Sequence, residues 1–153
     1  MASLPLAAAE SGKGMDENFA MKAADGGMTE VELGKIAEKN GEKQMVKDFG
    51  AKMVSDHSKA NDKLKAIAGK KGMTLPAKLS AKHQATVDKL SKLKGAEFDS
   101  AYMAEMLKDH ETDVEEFSKA EKEVKDPDLK QFAAETLPVV KSHLQMLKSD
   151  MKK

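Results

Sequence analysis

The sequence predicts an all-α protein, and three observations support this fold class. Alanine, lysine, glutamate, leucine, aspartate and methionine make up most of the 153 residues, a composition that favours helices. Only four prolines interrupt the chain, and cysteine and tryptophan are absent. Long stretches repeat apolar residues at alternating spacings of three and four, which is the period of an amphipathic helix. A chain of this length can bury a core as one domain without disulfides.

Four long helices and one short helix follow from these patterns and from the residues that start and end helices. Asn40-Gly41 and Gly72 are typical helix stops, and Ser80 is a typical N-cap. Asp126-Pro127 combines a capping residue with a proline at the first helical position. The predicted helices span residues 16–38, 42–71, 80–93, 97–124 and 127–151.

The predicted arrangement is a ferritin-like four-helix bundle over residues 15–153. Two antiparallel hairpins are joined by a long crossover, which contains the short extra helix. The pentad MVSDH, which ends at His57, returns as MLKDH, which ends at His110. We interpret this repeat as a trace of two-fold organisation.

Residues 1–14 are predicted to be a disordered remnant of a signal region. A short apolar stretch followed by small residues, at positions 3–10, is typical of the end of a secretory signal peptide. The absence of cysteine is compatible with an oxidising compartment. The sequence therefore predicts a periplasmic or secreted protein.

The charge pattern excludes several classes of partner. Acidic and basic residues balance at 26 each, every basic residue is lysine, and no glycine-rich phosphate loop is present. A neutral chain without arginine lacks both the field and the bidentate groups that commonly bind nucleic acids, so we expect no nucleic-acid partner. No stretch approaches the roughly 20 apolar residues of a membrane span.

Three histidines and one glutamate are candidate metal ligands in the bundle interior. His57 and His110 lie in the middle of apolar stripes, and His143 lies at the edge of a third. At about 1.5 Å rise per residue, these histidines and Glu32 fall within about 10 Å along the bundle axis. Three imidazoles and one carboxylate would suit a single zinc, copper or similar ion in a four-coordinate site.

The other polar residues near this level have simpler interpretations. Asp25 is a reserve ligand or an outer partner of a ligand, whereas His83, on the short helix, is expected to be a surface or packing residue. Asp56 and Asp109 are each one residue before a histidine, about 100° around the helix, and are expected to face water. Glu32 itself could be an ordinary solvated helix residue.

Methionine raises a copper-specific alternative, because thioether sulfur favours Cu(I). Met53 and Met106 precede His57 and His110 by four residues and so lie on neighbouring turns. Methionine is also a common gap filler in helical cores. The Glu-x-x-His pairs of di-iron bundles are absent, and no nucleophile triad suggests itself, so the sequence does not favour an enzyme.

Most of the chain after Phe19 resembles a bacterial family of secreted proteins. The matching stretches are EVELGKIAEKN (30–40), VKDFGAKMVSDHSKANDKL (46–64), FDSAYMAEMLKDH (98–110) and LKQFAAETLPVVKSHL (129–144). They resemble domain-of-unknown-function family 4142 of the ferritin-like superfamily, often labelled outer membrane proteins. This resemblance implies a ferritin-like bundle and export, but no assigned activity. The four candidate ligands lie inside the matching stretches, and His83 lies outside them.

Three hypotheses remain open from the sequence. In the first, a periplasmic or secreted bundle holds one transition-metal ion through Glu32, His57, His110 and His143. In the second, a metal-free structural or stress-related bundle acts through an envelope protein partner, or as a homodimer. In the third, a metalloenzyme uses an open coordination position to activate water, although no general base is apparent.

Overall fold

The computed structural model describes residues 7–153, with side chains from residue 14 onward, and helices are the only regular secondary structure in that range. The helices are α1 (Ala7–Asn40), α2 (Gln44–Lys71), α3 (Ala81–Ser91), α4 (Gly95–Glu123) and α5 (Pro127–Met151). The all-α prediction is confirmed. None of the helices in this range is sufficiently long and apolar to cross a membrane.

Four long helices form the bundle, and α3 lies outside it. Short connections make α1 antiparallel to α2 and α4 antiparallel to α5, and each of these pairs packs along its length. The two hairpins meet through α1 against α4 and α2 against α5. The chain returns from the end of α2 to the start of α4 through α3, which packs on α1. This is the predicted connectivity, with one long crossover.

The first helix begins earlier than predicted. It starts at Ala7, not at residue 16, because Ala7, Ala8 and Ala9 are strong helix formers despite the lack of an apolar stripe. The first six residues of the predicted signal remnant, 1–14, lie outside the described residues. Its interpretation as a signal remnant, and the domain limits 15–153, stay predictions.

The predicted helix ends elsewhere agree with the structure. Ser80 accepts a hydrogen bond from the His83 backbone N–H, and Asp126 accepts one from Leu129 N–H at 2.9 Å, directly before Pro127. Gly72 ends α2 with φ 68°, a conformation that glycine adopts without strain.

Two aspartates join the hairpins reciprocally. Asp99 of α4 accepts hydrogen bonds from the backbone N–H groups of Glu42 and Lys43, both at 2.9 Å, in the α1–α2 turn. Asp16 of α1 accepts the equivalent pair, at 3.1 and 2.9 Å, from the α4–α5 turn. Each hairpin therefore caps the turn of the other. The two-fold relation is seen in these caps, because Asp16 and Asp99 each lie on the first helix of a hairpin. The MxxDH pentads do not follow it, because α2 is the second helix of its hairpin and α4 is the first helix of the other.

Asp99→Ala is expected to lower the free energy of unfolding by about 1–3 kcal/mol, because two partly buried N–H groups lose their acceptor. Urea unfolding of the metal-free protein measures the change. Asp62→Ala, at an exposed position on α2, is the control and should change stability by less than about 0.5 kcal/mol. Equal losses in the two variants would contradict the capping role of Asp99.

The apolar core has two parts, one toward each end of the bundle. One cluster contains Phe19, Leu64, Phe117 and Phe132, and the other contains Leu33, Phe49, Tyr102 and Met106 among others. The helices pass through a level between the clusters where their inward side chains are polar. This middle level holds the candidate site.

Candidate metal centre

Each long helix contributes one buried polar side chain to the middle level. These residues are Glu30 of α1, His57 of α2, His110 of α4 and His143 of α5. Their relative exposures are 2%, 6%, 0% and 0%. A buried polar group without a partner costs about 1–3 kcal/mol, so four at one level require explanation.

The three predicted histidines are brought together. Each offers a ring nitrogen, and the three nitrogens lie within 4.8 Å of one another. Apolar residues one or two turns away on the same helix faces, such as Met53, Met106 and Leu147, hold the rings inward. The apolar spacing was thus a sufficient signal for all three positions.

Glu32 does not join the histidines, and Glu30 lies in its place. The Glu32 side chain is 49% exposed and pairs with Lys35 at 3.3 Å. Residues two positions apart in the sequence point about 200° away from each other around a helix, so Glu30 faces the core when Glu32 faces solvent. The buried stripe of α1 runs through Gly27, Glu30 and Leu33 rather than through Val31.

Hydrogen bonds to the outer nitrogens fix two of the rings. His110 Nδ1 donates to the Met106 carbonyl at 2.9 Å, because that oxygen can only accept. His143 Nε2 lies 2.7 Å from the Asp56 carboxylate. Burial alone would raise the pKa of Asp56, but the His143 hydrogen bond and the Lys52 charge outweigh it and lower the pKa. Asp56 is thus ionised at neutral pH, and His143 Nε2 donates.

The inner nitrogens of these two rings then face each other as acceptors. His110 Nε2 and His143 Nδ1 are 3.2 Å apart. Burial lowers the pKa of His110 to about 3, and the neighbouring histidines add to the shift. Burial also lowers the pKa of His143 to about 4, against the effect of Asp56. Both rings are therefore neutral at pH 7, and two lone pairs point into one buried space without a proton between them.

His57 and Glu30 form the other half of the site. His57 Nε2 contacts Glu30 Oε2, and neither atom has a hydrogen-bond partner of ordinary geometry among the described residues. Glu30 Oε1 lies 3.7 Å from His110 Nδ1. Burial lowers the pKa of His57. The three histidine nitrogens thus form one group, and Glu30 adjoins it through its contacts with His57 and His110.

The separation of His110 Nε2 and His143 Nδ1 fits a small cation between them. Zinc–nitrogen bonds of about 2.0–2.1 Å in tetrahedral geometry place two ligand nitrogens about 3.3–3.4 Å apart. The observed separation of His110 Nε2 and His143 Nδ1 is 3.2 Å. The hydrogen bonds of these rings to Met106 and Asp56 are the outer contacts that commonly orient metal-bound histidines.

Two expectations about neighbouring polar residues, those for Asp56 and Asp25, are wrong. Asp56 was expected to face water, but it reaches across to His143 on α5. Asp25 is not a partner of His57, because it lies 2.7 Å from His83 Nδ1 and accepts from Ser80 N–H at 2.9 Å. Asp109 is half-buried, and burial with the nearby charges of Glu105 and Asp113 raises its pKa to about 7.

Asp113 is a carboxylate that the sequence did not single out. It offers an oxygen within 4.8 Å of ligand atoms of both Glu30 and His110. Burial and the adjacent Glu30 carboxylate raise the pKa of Asp113 well above its ordinary value. Asp113 lies three residues after His110 and so on the same helix face, and this spacing could have identified it as a neighbour of the site from the sequence.

The metal-free protein is expected to lose stability as pH rises from about 6.5 to 8. Burial, with the charge of Asp109, raises the pKa of Glu30 from 4.5 to about 8. The folded chain thus keeps a proton that the unfolded chain has already lost, so this stabilisation is complete below pH 4.5 and is lost toward pH 8. Histidines of the unfolded chain still bind some protons between pH 6.5 and about 7.5 and oppose part of the loss there, whereas above about pH 7.5 they are neutral in both states.

Urea unfolding at several pH values with a chelator present measures this dependence. Each such carboxyl group should contribute a fall of about 1.4 kcal/mol per pH unit within its range. Glu30→Gln, which cannot ionise, should show a shallower fall than the wild type. An identical slope in the two proteins would show that Glu30 does not hold a proton in the folded chain.

The fold of this chain is similar to that of known crystal structures. Its fold is similar to the crystal structure of a DUF305 fragment from Deinococcus radiodurans, with a TM-score of 0.79 and 12% identity over 90% of this chain and 95% of that one. It is also similar to the structure named "putative secreted protein DUF305 from Streptomyces coelicolor", with a TM-score of 0.71 and 16% identity over 87% and 89% of the two chains. At these identities the likeness concerns the fold alone.

No curated protein sequence matches the chain. Membership of the wider ferritin-like superfamily stays a prediction. The family described as "Domain of unknown function (DUF4142)" matches residues 2–149, almost the entire sequence. The chain belongs to this family.

Proposed function

We propose that this protein binds one transition-metal ion, of the zinc or copper class, through His57, His110, His143 and Glu30. The observation that carries the proposal is the pair of buried lone pairs, on His110 Nε2 and His143 Nδ1, that face each other at 3.2 Å. A cation between them would replace electrostatic repulsion by two coordinate bonds. Glu30 Oε2 and His57 Nε2, which have no hydrogen-bond partner among the residues that the structure describes, would complete the ligand set once the metal displaces the Glu30 proton.

A binding role agrees better with this site than a catalytic role. Four protein ligands close a tetrahedral centre, whereas catalytic zinc sites keep one position open for water or substrate. All four side chains are at most 6% exposed. Storage, buffering or stiffening of the bundle are the functions that a closed centre supports.

The ion is zinc or copper by the chemistry of the donors. Imidazole suits both metals, and one carboxylate is compatible with zinc. Met53 and Met106, the methionines that suggested Cu(I), are fully buried in the Phe49 cluster. Zinc is therefore the first ion to test and copper the second.

Export from the cytoplasm is part of the proposal. The Streptomyces coelicolor protein of similar fold carries the word "secreted" in its name. The apolar stretch at residues 3–10 resembles the end of a signal peptide. A periplasmic or secreted location would place the site where metal ions enter the cell.

Titration of the metal-free protein with Zn²⁺, against a chromophoric chelator, tests the proposal. We expect one ion per chain, and a stabilisation of about 2.7 kcal/mol when free Zn²⁺ is 100 times its Kd. Glu30→Gln should weaken binding about 10-fold or more, whereas the matched variant Glu32→Gln should leave the Kd within about 2-fold. Elemental analysis of protein purified without a histidine tag gives an independent stoichiometry.

The absence of saturable binding of Zn²⁺, Cu²⁺ and Cu⁺ would overturn the proposal. The metal-free structural role, acting through an envelope protein partner, would then be favoured. Equal effects of Glu30→Gln and Glu32→Gln would instead show that Glu30 is not a ligand.

A further inference from the structure

A cavity of about 410 Å³ lies between α1, α3 and α4, on one side of the proposed metal centre. Six carboxylates and three lysines line it, together with His83 and small residues such as Gly26. Burial raises the pKa of Glu30 to about 8, that of Asp109 to about 7 and that of Asp113 well above its ordinary value, so the cavity becomes negative as a cation displaces these protons. The proposed metal site uses only one of these carboxylates.

Glu30 forms the inner wall of this cavity and is also a member of the metal centre. Its side chain is 2% exposed, and Oε2 has no hydrogen-bond partner among the described residues. On the cavity side, Asp113 brings an oxygen within 4.8 Å of Glu30. On the other side, Glu30 contacts His57. A cation in the cavity would therefore need to pass only one carboxylate to reach the histidines.

Building on the proposed metal site, we propose that this cavity is the access route of the ion, which its carboxylates capture before Glu30 passes it to His57, His110 and His143. The inference concerns the path and rate of metal uptake, which the ligand set alone does not determine.

The packing around the centre favours this route over paths along the bundle axis. The two apolar clusters, around Phe19 and around Phe49, cover the site toward both ends of the bundle. A partly dehydrated cation cannot cross such clusters without a large desolvation penalty. On the α2–α5 side, Asp56 is engaged by His143 and by Lys52 at 3.4 Å.

The short helix α3 forms the outer wall of the cavity. Asp25 of α1 holds it through Ser80 N–H and His83 Nδ1, at 2.9 and 2.7 Å. Ionised carboxylates in a cleft raise the local concentration of cations and can increase association rates by 10-fold or more. The carboxylates of the cavity would act in this way on a divalent cation.

A bulky side chain at Gly26 tests the route sterically. Gly26 lines the cavity, and a Cβ added there meets no atom within 4 Å, so a larger side chain can leave the backbone of Gly26→Phe without strain and take up cavity space. Gly69→Phe is the control, because Gly69 is also helical and open but lies away from the cavity. Binding of Co²⁺ to the metal-free protein, followed by its visible absorption in stopped flow, gives both rates.

Gly26→Phe is expected to slow Co²⁺ association and release by about 10-fold or more and to leave the Kd within about 3-fold. A blocked path lowers both rates equally, whereas a damaged site changes the Kd. Gly69→Phe should leave both rates near those of the wild type. Equal rates in the two variants, or a changed Kd with an unchanged association rate, would overturn the proposed route.

Charge gives a second test with a closely matched control. Glu105 and Glu116 of α4 line the cavity, whereas Glu111 and Glu115 of the same helix are exposed and lie outside its lining. The double variant Glu105→Gln/Glu116→Gln should bind Co²⁺ about 10-fold more slowly at low ionic strength. The difference should disappear at about 0.5 M salt. The variant Glu111→Gln/Glu115→Gln loses the same charge and should be much less affected.

The two proposals fail in different ways. If wild-type protein gives no Co²⁺ or Zn²⁺ binding at equilibrium, the metal site itself is wrong, and the route falls with it. If binding is normal but neither the Gly26→Phe nor the Glu105→Gln/Glu116→Gln variant is slowed, only the route is wrong.

Discussion

His110→Ala is expected to weaken Zn²⁺ binding by more than about 100-fold. Loss of an outer hydrogen-bond partner of a metal ligand already costs about 10–100-fold in affinity, and a direct ligand should cost more. His110 lies centrally in the site, since its Nε2 is 3.2 Å from His143 Nδ1 and the centroid of its ring is 5.9 Å from that of His57. Competition with a chelator of known affinity measures the loss.

His83→Ala is the matched control for this prediction. His83 is the one histidine that lies outside the centre, where it pairs with Asp25. Its replacement should leave Zn²⁺ affinity within about 2-fold. Circular dichroism of the metal-free variants establishes that each remains helical. A similar loss in both variants, or none in His110→Ala, would refute the ligand assignment.

Gly50→Val is expected to destabilise the bundle by about 3 kcal/mol, which corresponds to a fall in Tm of roughly 6–12 °C. A Cβ on Gly50 would lie 2.7 Å from the Cβ of Ala37 and 2.7 Å from the carbonyl oxygen of Gly34. The reverse contact is equally close, because a Cβ on Gly34 would lie 2.6 Å from the Gly50 carbonyl. Backbone atoms cannot move aside without separating α1 from α2.

Gly69→Ala provides the opposite expectation on the same helix. An added Cβ there meets nothing within 4 Å, so alanine should stabilise α2 by about 0.5–1 kcal/mol. Thermal unfolding of both metal-free variants gives the comparison. If Gly50→Val is as stable as the wild type, the close approach of α1 and α2 is not present in solution.

The sequence predicted the histidines of the site but not its carboxylate. His57 and His110 lie in apolar stripes whose period allows only an inward orientation of their side chains, and both side chains are buried in the structure. The inner face of α1 was ambiguous, because alanine and glycine occur on several of its sides. Glutamate is also rarely buried without a partner, so nothing in the sequence singled out Glu30 as a core residue.

Contacts between distant segments were beyond the reach of periodicity. Asp56 pairs with a histidine 87 residues later in the chain, and the side chain crosses from α2 to α5 to do so. Asp25 similarly reaches His83 on α3, whose placement depends on an irregular connection. Helix positions were predictable because they depend on local spacing, whereas these pairs depend on how the finished helices are rotated.

The reciprocal aspartate caps imply that neither half of the chain is self-sufficient. A fragment ending before α4 would lack Asp99, so the backbone N–H groups of Glu42 and Lys43 in its α1–α2 turn would have no acceptor. The second half of the chain would likewise lack Asp16, the acceptor for its α4–α5 turn. Separated halves should therefore be largely unstructured and regain order only on mixing. Unfolding of the intact chain should accordingly proceed as one cooperative event rather than hairpin by hairpin.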